Sequence, residues 1–170
     1  MPSKRSPAPL DPERIFKALA RHQVRFVLIG ALAARLHGFP RVTADADITP
    51  ARDDQNLKRL AAALKDLDAR VFTDSVPEGL AFDSTARGLA RAEMWNLVTA
   101  AGRLDIAFRP AGTEGFDDLA RGAVRFEVYG TTLLAARLED ILRSKEAADR
   151  PQDRQDVTVI REMMKRKPSA

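Results

Sequence analysis

The sequence predicts a mixed α/β fold of the α+β kind, with helices packed on a mixed β-sheet and a helical segment at the C-terminal end. Three observations lead there. A buried-type apolar run, "VRFVLIG" (24–30), stops at a glycine and is followed by a short helical stretch. Several segments alternate apolar and polar residues with a period of two, as half-buried strands do. The remaining long segments carry apolar residues at helical spacing, with start and stop signals at their ends.

Residues 1–10 hold three prolines and read as a flexible arm. Asp11-Pro12-Glu13 is a helix start, a capping carboxylate followed by proline at the first helical position. Ile15, Phe16 and Leu19 then share one helical face. "VRFVLIG" is too short for a free helix and rich in branched and aromatic residues, so it reads as a buried strand ended by Gly30. "ALAARLHG" turns as a helix that stops at Gly38. In "RVTADADIT" (41–49), Val42, Ala44, Ala46 and Ile48 point one way, and Thr43, Asp45, Asp47 and Thr49 the other.

Thr49-Pro50 is expected to begin a long helix with Leu57, Leu60, Ala61, Leu64 and Leu67 as its apolar stripe. Residues 71–92 are irregular apart from a short strand near Val71–Phe72. "EMWNLVTAAGRLDIAF" (93–108) reads as a hairpin turning around Ala101-Gly102, with Leu104, Ile106 and Phe108 on one face. "AVRFEVYG" (123–130) is a further alternating strand. From about Leu133 the chain is expected to be helical, interrupted at Arg150-Pro151, and "KRKPSA" forms a frayed basic tail. The organisation is thus an arm (1–10), a core (11–130) and a helical C-terminal region (131–170).

Composition narrows the function classes. Hydrophobic residues make up 45% of 170, enough for a packed core and too many for a mainly disordered chain. The chain has no cysteine, which excludes disulfide frameworks and thiolate zinc sites. A formal charge of +4 admits an anionic partner without requiring one. No secretory h-region or apolar run long enough for a membrane span occurs, so a cytoplasmic protein with no membrane partner is expected.

The chemistry lies in the aspartates. Two residues apart on a strand, Asp45 and Asp47 project to the same side and repel each other unless a cation sits between them. Magnesium, with manganese as an alternative, suits one or two carboxylates plus substrate phosphates. Asp105, on the polar face of a later strand, is a candidate third ligand. Gly30-Ala31, between a buried strand and a helix start, leaves backbone N–H groups open to a phosphate. Taken singly, each feature has an ordinary explanation: a solvated D-x-D, a strand-ending glycine, a surface aspartate. His37 reads as a local hydrogen-bond partner. The order of glycine, helix, D-x-D and later aspartate is what points to a nucleoside triphosphate held with metal.

"FVLIGALAARLHGFPRVTADADI" resembles the signature of the nucleotidyltransferase superfamily with the polymerase-beta-type fold. More narrowly it resembles the AbiEii/AbiGii toxin family, including the MenT-like toxins, through Gly30, His37-Gly38, Arg41, Thr43, Asp45 and Asp47. A second block, "LEDILRSKEAADRPQDRQDV" (138–157), resembles that family's helical motif through Ser144, Lys145, Arg150, Pro151, Asp153 and Asp156. The sequence departs from the superfamily's Gly-Gly or Gly-Ser pair at Ala31, which lacks the serine hydroxyl but keeps its backbone N–H.

The resemblance implies a nucleotidyltransferase fold and a catalytic set of Asp45, Asp47, Lys145 and Asp156. It also implies a nucleotide-binding set of Gly30, Ala31, Arg41, Thr43, Lys145, Arg150 and Asp153. The metal set is Asp45, Asp47 and Asp105. The implied protein is an NTP-using, magnesium-dependent toxin of a toxin–antitoxin pair. It would transfer NMP to RNA, with the tRNA 3′ acceptor end foremost, and have a cognate antitoxin as partner and no DNA. Two alternatives stay open: transfer to a protein or small-molecule hydroxyl, and a non-catalytic nucleotide- or partner-binding module. Arg21, Arg25, Arg35, Arg41, Arg52, Arg87 and Arg91 are available for an RNA backbone or simply for solubility.

Overall fold

The computed structural model describes residues 7–166; residues 1–6 of the arm and 167–170 of the basic tail lie outside the described residues. Helix α1 (Pro12–Arg21) starts as its sequence dictates, with the Asp11 carboxylate accepting from the Arg14 N–H at 3.1 Å. It buries Ile15, Phe16 and Leu19. Just before it, Leu10 packs against the core, and the Asp11 N–H donates to the Ala101 carbonyl at 2.9 Å.

Strand β1 (Phe26–Ile29) is the central part of the apolar run. Gly30 does not close it as a loop residue but opens helix α2 (Gly30–Leu36) directly, and Gly38 ends that helix at φ +100°. Strand β2 spans Asp45–Pro50, shorter at its start than the alternation suggests. Val42 is 77% exposed and Ala44 is also exposed, because partners in the sheet begin only at Asp45. The expected helix start at Thr49-Pro50 is also corrected. Both residues pair with β1, Pro50 opposite Phe26, and helix α3 (Asp54–Asp66) begins at its own cap. There the Asp53 carboxylate accepts from the Asn56 N–H at 2.9 Å. Leu57, Leu60, Leu64 and Leu67 are buried as expected, whereas Ala61 stands at the edge of the stripe.

Strand β3 (Arg70–Val71) and the short helix α4 (Ala86–Leu89) precede the hairpin of β4 (Met94–Thr99) and β5 (Gly102–Ala107). The hairpin turns at Ala100-Ala101, one residue earlier than the sequence suggests, since Thr99 pairs with Gly102. Gly102 sits in the strand at φ +97°, where a Cβ would meet the Leu10 Cα at 2.7 Å. Helix α5 (Phe116–Gly122) follows, in a stretch whose sequence signals no helix strongly.

Strand β6 (Val124–Val128) turns back into β7 (Thr131–Ala135), where the sequence reading places helix from Leu133. Tyr129 (φ 53°) and Gly130 (φ 73°) form a two-residue left-handed turn, with Tyr instead of the usual Asn or Asp in first place. Helices α6 (Leu138–Ala148) and α7 (Pro151–Arg166) complete the chain and pack on each other, broken at Arg150-Pro151 as expected.

The seven strands form one mixed sheet in the order β3-β4-β5-β2-β1-β7-β6. β2 runs parallel to β5 and antiparallel to β1, while β7 runs parallel to β1. On β5, Leu104 and Ile106 are fully buried in the core, so Arg103, Asp105 and Ala107 face the other side. Among the described residues no helix is long and apolar enough to cross a membrane.

Candidate active site

The parallel register of β2 and β5 decides where the acids meet. Asp47 lies beside Asp105, and Asp45 beside Arg103. On the other side Asp47 pairs with Ile29, so Gly30 comes directly against it. A Cβ on Gly30 would lie 2.6 Å from the Asp47 Oδ2, and the residue sits at φ +69°. A side chain there would be both strained and in collision, so the glycine allows the acid to occupy this place.

The acids line a cleft of about 740 Å³ together with Gly30, Ala31, Arg41, Thr43, Lys145 and Arg150. Asp153 and Asp156 also line it, so every residue expected of the site borders one cavity. The cations are organised by buried acids. Arg41 donates from one nitrogen to both oxygens of Asp156 at 2.8 Å. Lys145 donates to Asp156 at 3.0 Å and to Asp153 at 3.5 Å. Arg150 pairs with Asp153 at 2.8 Å, which also accepts from the Arg150 backbone N–H. The side chains of Asp153 and Asp156 are 1% and 6% exposed. Arg41 therefore bridges to α7 and not to Asp45 or Asp47. Thr43 ties down its own loop, its hydroxyl donating to the Asp45 carbonyl at 3.1 Å.

Electrostatics single out Asp47. Burial, then the charges of Asp105 and Asp45, push its carboxyl up to about 7, against the pull of Lys145 and Arg150 across the cleft. Burial also pushes Asp105 upward against the pull of Arg103, with Asp45 adding to the rise. Asp153 behaves oppositely: burial would raise it, but hydrogen bonds from Arg150 and the nearby positive charges hold it below the usual carboxylate range.

A divalent cation fits this donor set. Asp45 and Asp47 share one strand face, and the repulsion that adds to burial in raising Asp47 is what a hard cation relieves. Among the described residues no three acids, histidines or cysteines converge as a ready-made metal cluster. Asp105 is instead engaged by the Arg103 Nη2 at 3.4 Å.

Three residues escaped the sequence reading. Asn96 lies opposite Asp105 on β4, and Met94 opposite Ala107; both line the cleft. A turn at Ala101-Gly102 would have put Val98 opposite Asp105, so the one-residue shift of the turn hid Asn96. The third, Arg103, stacks on the Phe72 ring at 3.7 Å, a contact between distant segments that carries no local signal.

The His37 ring meets the Ala136 carbonyl at 2.9 Å, a partner far away in sequence. Of the arginines considered for RNA, Arg21 and Arg25 are ion-paired with Asp66 and Asp53, and Arg52 with Glu93. Arg25 and Arg52 line a separate cavity of about 790 Å³ beyond Pro50, at the far end of β2 from the acids.

No protein-family model matches the chain, and no curated protein does. Solved structures do. The lincomycin-bound crystal structure of the lincosamide antibiotic adenylyltransferase LnuA superposes with a TM-score of 0.59 at 16% identity, covering 92% of this chain and 99% of that one. The chain has the nucleotidyltransferase fold. The solution structure of the antibiotic-resistance factor ANT(2'')-Ia is also similar, with a TM-score of 0.50 at 16% identity, covering 89% of this chain and 88% of that one. In this nucleotidyltransferase fold the acidic pair occupies the strand between β1 and β5, and the α6–α7 region with the loop before β2 supplies the cations opposite it.

Proposed function

We propose that the protein is a divalent-metal-dependent nucleotidyltransferase that moves a nucleoside monophosphate from an NTP to a hydroxyl. The observation that carries this reading is geometric: the half-buried Asp47 lies beside Asp105 and two residues from Asp45, in one cleft with Lys145 and Arg150. Asp45 and Asp47 would hold the magnesium or manganese ion, which when bound supplies charge neutralisation at the phosphates. Lys145 keeps one of its three donors beyond those given to Asp153 and Asp156, and directs it to the triphosphate. Asp153 and Asp156 hold Lys145 and Arg150 in place, and Gly30-Ala31 offers backbone N–H groups at the start of α2.

The acceptor oxygen attacks the α-phosphorus, and a new P–O bond forms. The bond to the bridging oxygen breaks, and pyrophosphate leaves with the electron pair. Asp105 takes the acceptor's proton, a role suited to a carboxyl that burial and the Asp45 charge raise above its ordinary value.

The sequence resemblance extends this reading to a toxin that modifies an RNA 3′ end, with tRNA foremost, and that is restrained by an antitoxin. A second reading moves the acceptor to a small-molecule hydroxyl. It draws support from the likeness to LnuA, an antibiotic adenylyltransferase, and from the uncharged residues Met94 and Asn96 beside Asp105. The test is incubation with each α-labelled NTP and magnesium or manganese, offering total RNA and hydroxyl compounds in parallel. Transfer by wild type and none by Asp47→Ala supports the assignment; label transfer by both would overturn it.

A further inference from the structure

The cleft is divided by charge. Its cations, Arg41, Lys145 and Arg150, all come from the loop before β2 and from the α6–α7 region, and each is paired with a buried aspartate. On the β4–β5 side, the lining beyond Asp105 includes Met94, Asn96, Ala107, Pro110 and Ala111, with no charged side chain, and the Thr113 hydroxyl there is committed to the Pro110 carbonyl and the Gly115 N–H. Met94 is 58% exposed, and Val42 on the cleft-lining loop is 77% exposed. Exposed large apolar side chains are few among the described residues, and two of them border this one cavity. An apolar wall with one amide is how a site receives an uncharged body and orients it with a single polar contact.

From this partition we propose that the β4–β5 wall is the acceptor subsite. It takes a small hydroxyl compound with an apolar face and no phosphate backbone, and Asn96 orients it beside Asp105. The assignment rests on the transferase reading above and names its acceptor class. The donor triphosphate needs the cationic wall, so the acceptor arrives from the other side of the acids. A polyanion arriving there would meet Asp45, Asp47 and Asp105, while Arg103 on the same strand face is already engaged by Asp105 and the Phe72 ring. An apolar face would cover Met94 and remove it from water.

The test uses the full chain with 13C-methyl methionine, following Met94 with Met163 and Met164 on α7 as references. Hexyl β-glucoside, methyl β-glucoside and a 3′-hydroxyl RNA oligonucleotide are titrated in turn, without nucleotide and then with saturating magnesium and NTP. Hexyl glucoside is expected to shift the Met94 signal at a concentration at least about tenfold below that of methyl glucoside, since the two differ only in apolar length. Ala107→Glu, opposite Met94, should abolish that response while the Met163 and Met164 signals keep their positions. An equal response to both glucosides, no response, or a Met94 shift with RNA alone would overturn the proposal. Absence of NTP binding would remove the transferase reading and this assignment with it. A silent glucoside titration on NTP-bound protein would remove only the assignment.

Discussion

Asp47 couples stability and function through one proton. Its folded pKa, about 7, is above the ordinary value of 3.8, so the folded state binds the proton more tightly than the unfolded chain. The metal-free protein should therefore lose stability as pH rises from about 4 through 7, while below that window the contribution is fully retained. Asp47→Asn removes the effect and should stabilise the chelator-treated protein at pH 8 by at least about 1 kcal/mol. Thermal unfolding in EDTA at pH 5 and pH 8 measures it; an unchanged difference between the two pH values in the variant would contradict the electrostatic account. Lys145→Ala is expected to weaken NTP binding about tenfold or more, the size of one lost charge-assisted contact. The exposed Lys58 serves as the control, whereas the nearer Arg143 bridges Asp118 and the buried Asp140. Equal NTP affinities in Lys145→Ala and Lys58→Ala would return Lys145 to a structural role.

At the scale of elements, the loop before β2 and helix α7 are tied through Asp156, which holds Arg41 and Lys145 together. Asp156→Ala takes the partner of the half-exposed Arg41 and leaves the largely buried Lys145 with Asp153 alone, and a loss of about 1–3 kcal/mol in urea unfolding is expected. Asp156→Asn keeps the shape and separates charge from packing. The junction of β1 and α2 is tested by Gly30→Ala. The new Cβ would lie 2.6 Å from the Asp47 Oδ2 in a backbone region costly for alanine, so a loss of about 1–3 kcal/mol is expected, together with transfer activity. Retained activity would mean that Asp47 moves without consequence.

For the whole molecule, charge distribution matters more than net charge. Several arginines are committed to intramolecular pairs, among them Arg21, Arg25, Arg41 and Arg52. Binding of an RNA backbone would release counterions, giving a log–log salt slope on the order of three to five if that many phosphates were engaged. A neutral acceptor on the β4–β5 wall predicts a nearly flat dependence of the acceptor KM on salt. Kinetics at several potassium chloride concentrations with NTP saturating distinguish the two. A steep slope with RNA as the labelled product would restore the toxin reading.

The sequence by itself determined the mixed α/β class, the capped start of α1, the core face of β5 and the break between α6 and α7. All of these follow from local periodicity, capping and proline geometry. It also named most of the acids and the cations that border the cleft, because all of these but Asp105 fall in two compact blocks. Only the tertiary structure decided how those blocks meet. The Tyr129-Gly130 turn makes β7 a strand beside β1, and sheet pairing keeps Thr49 and Pro50 out of α3. The parallel alignment of β2 with β5 sets Asp47 beside Asp105, and the hairpin turn at Ala100-Ala101 brings Asn96 opposite it. Such pairings depend on register between distant segments, and a shift of one residue at a turn changes every partner along the strand.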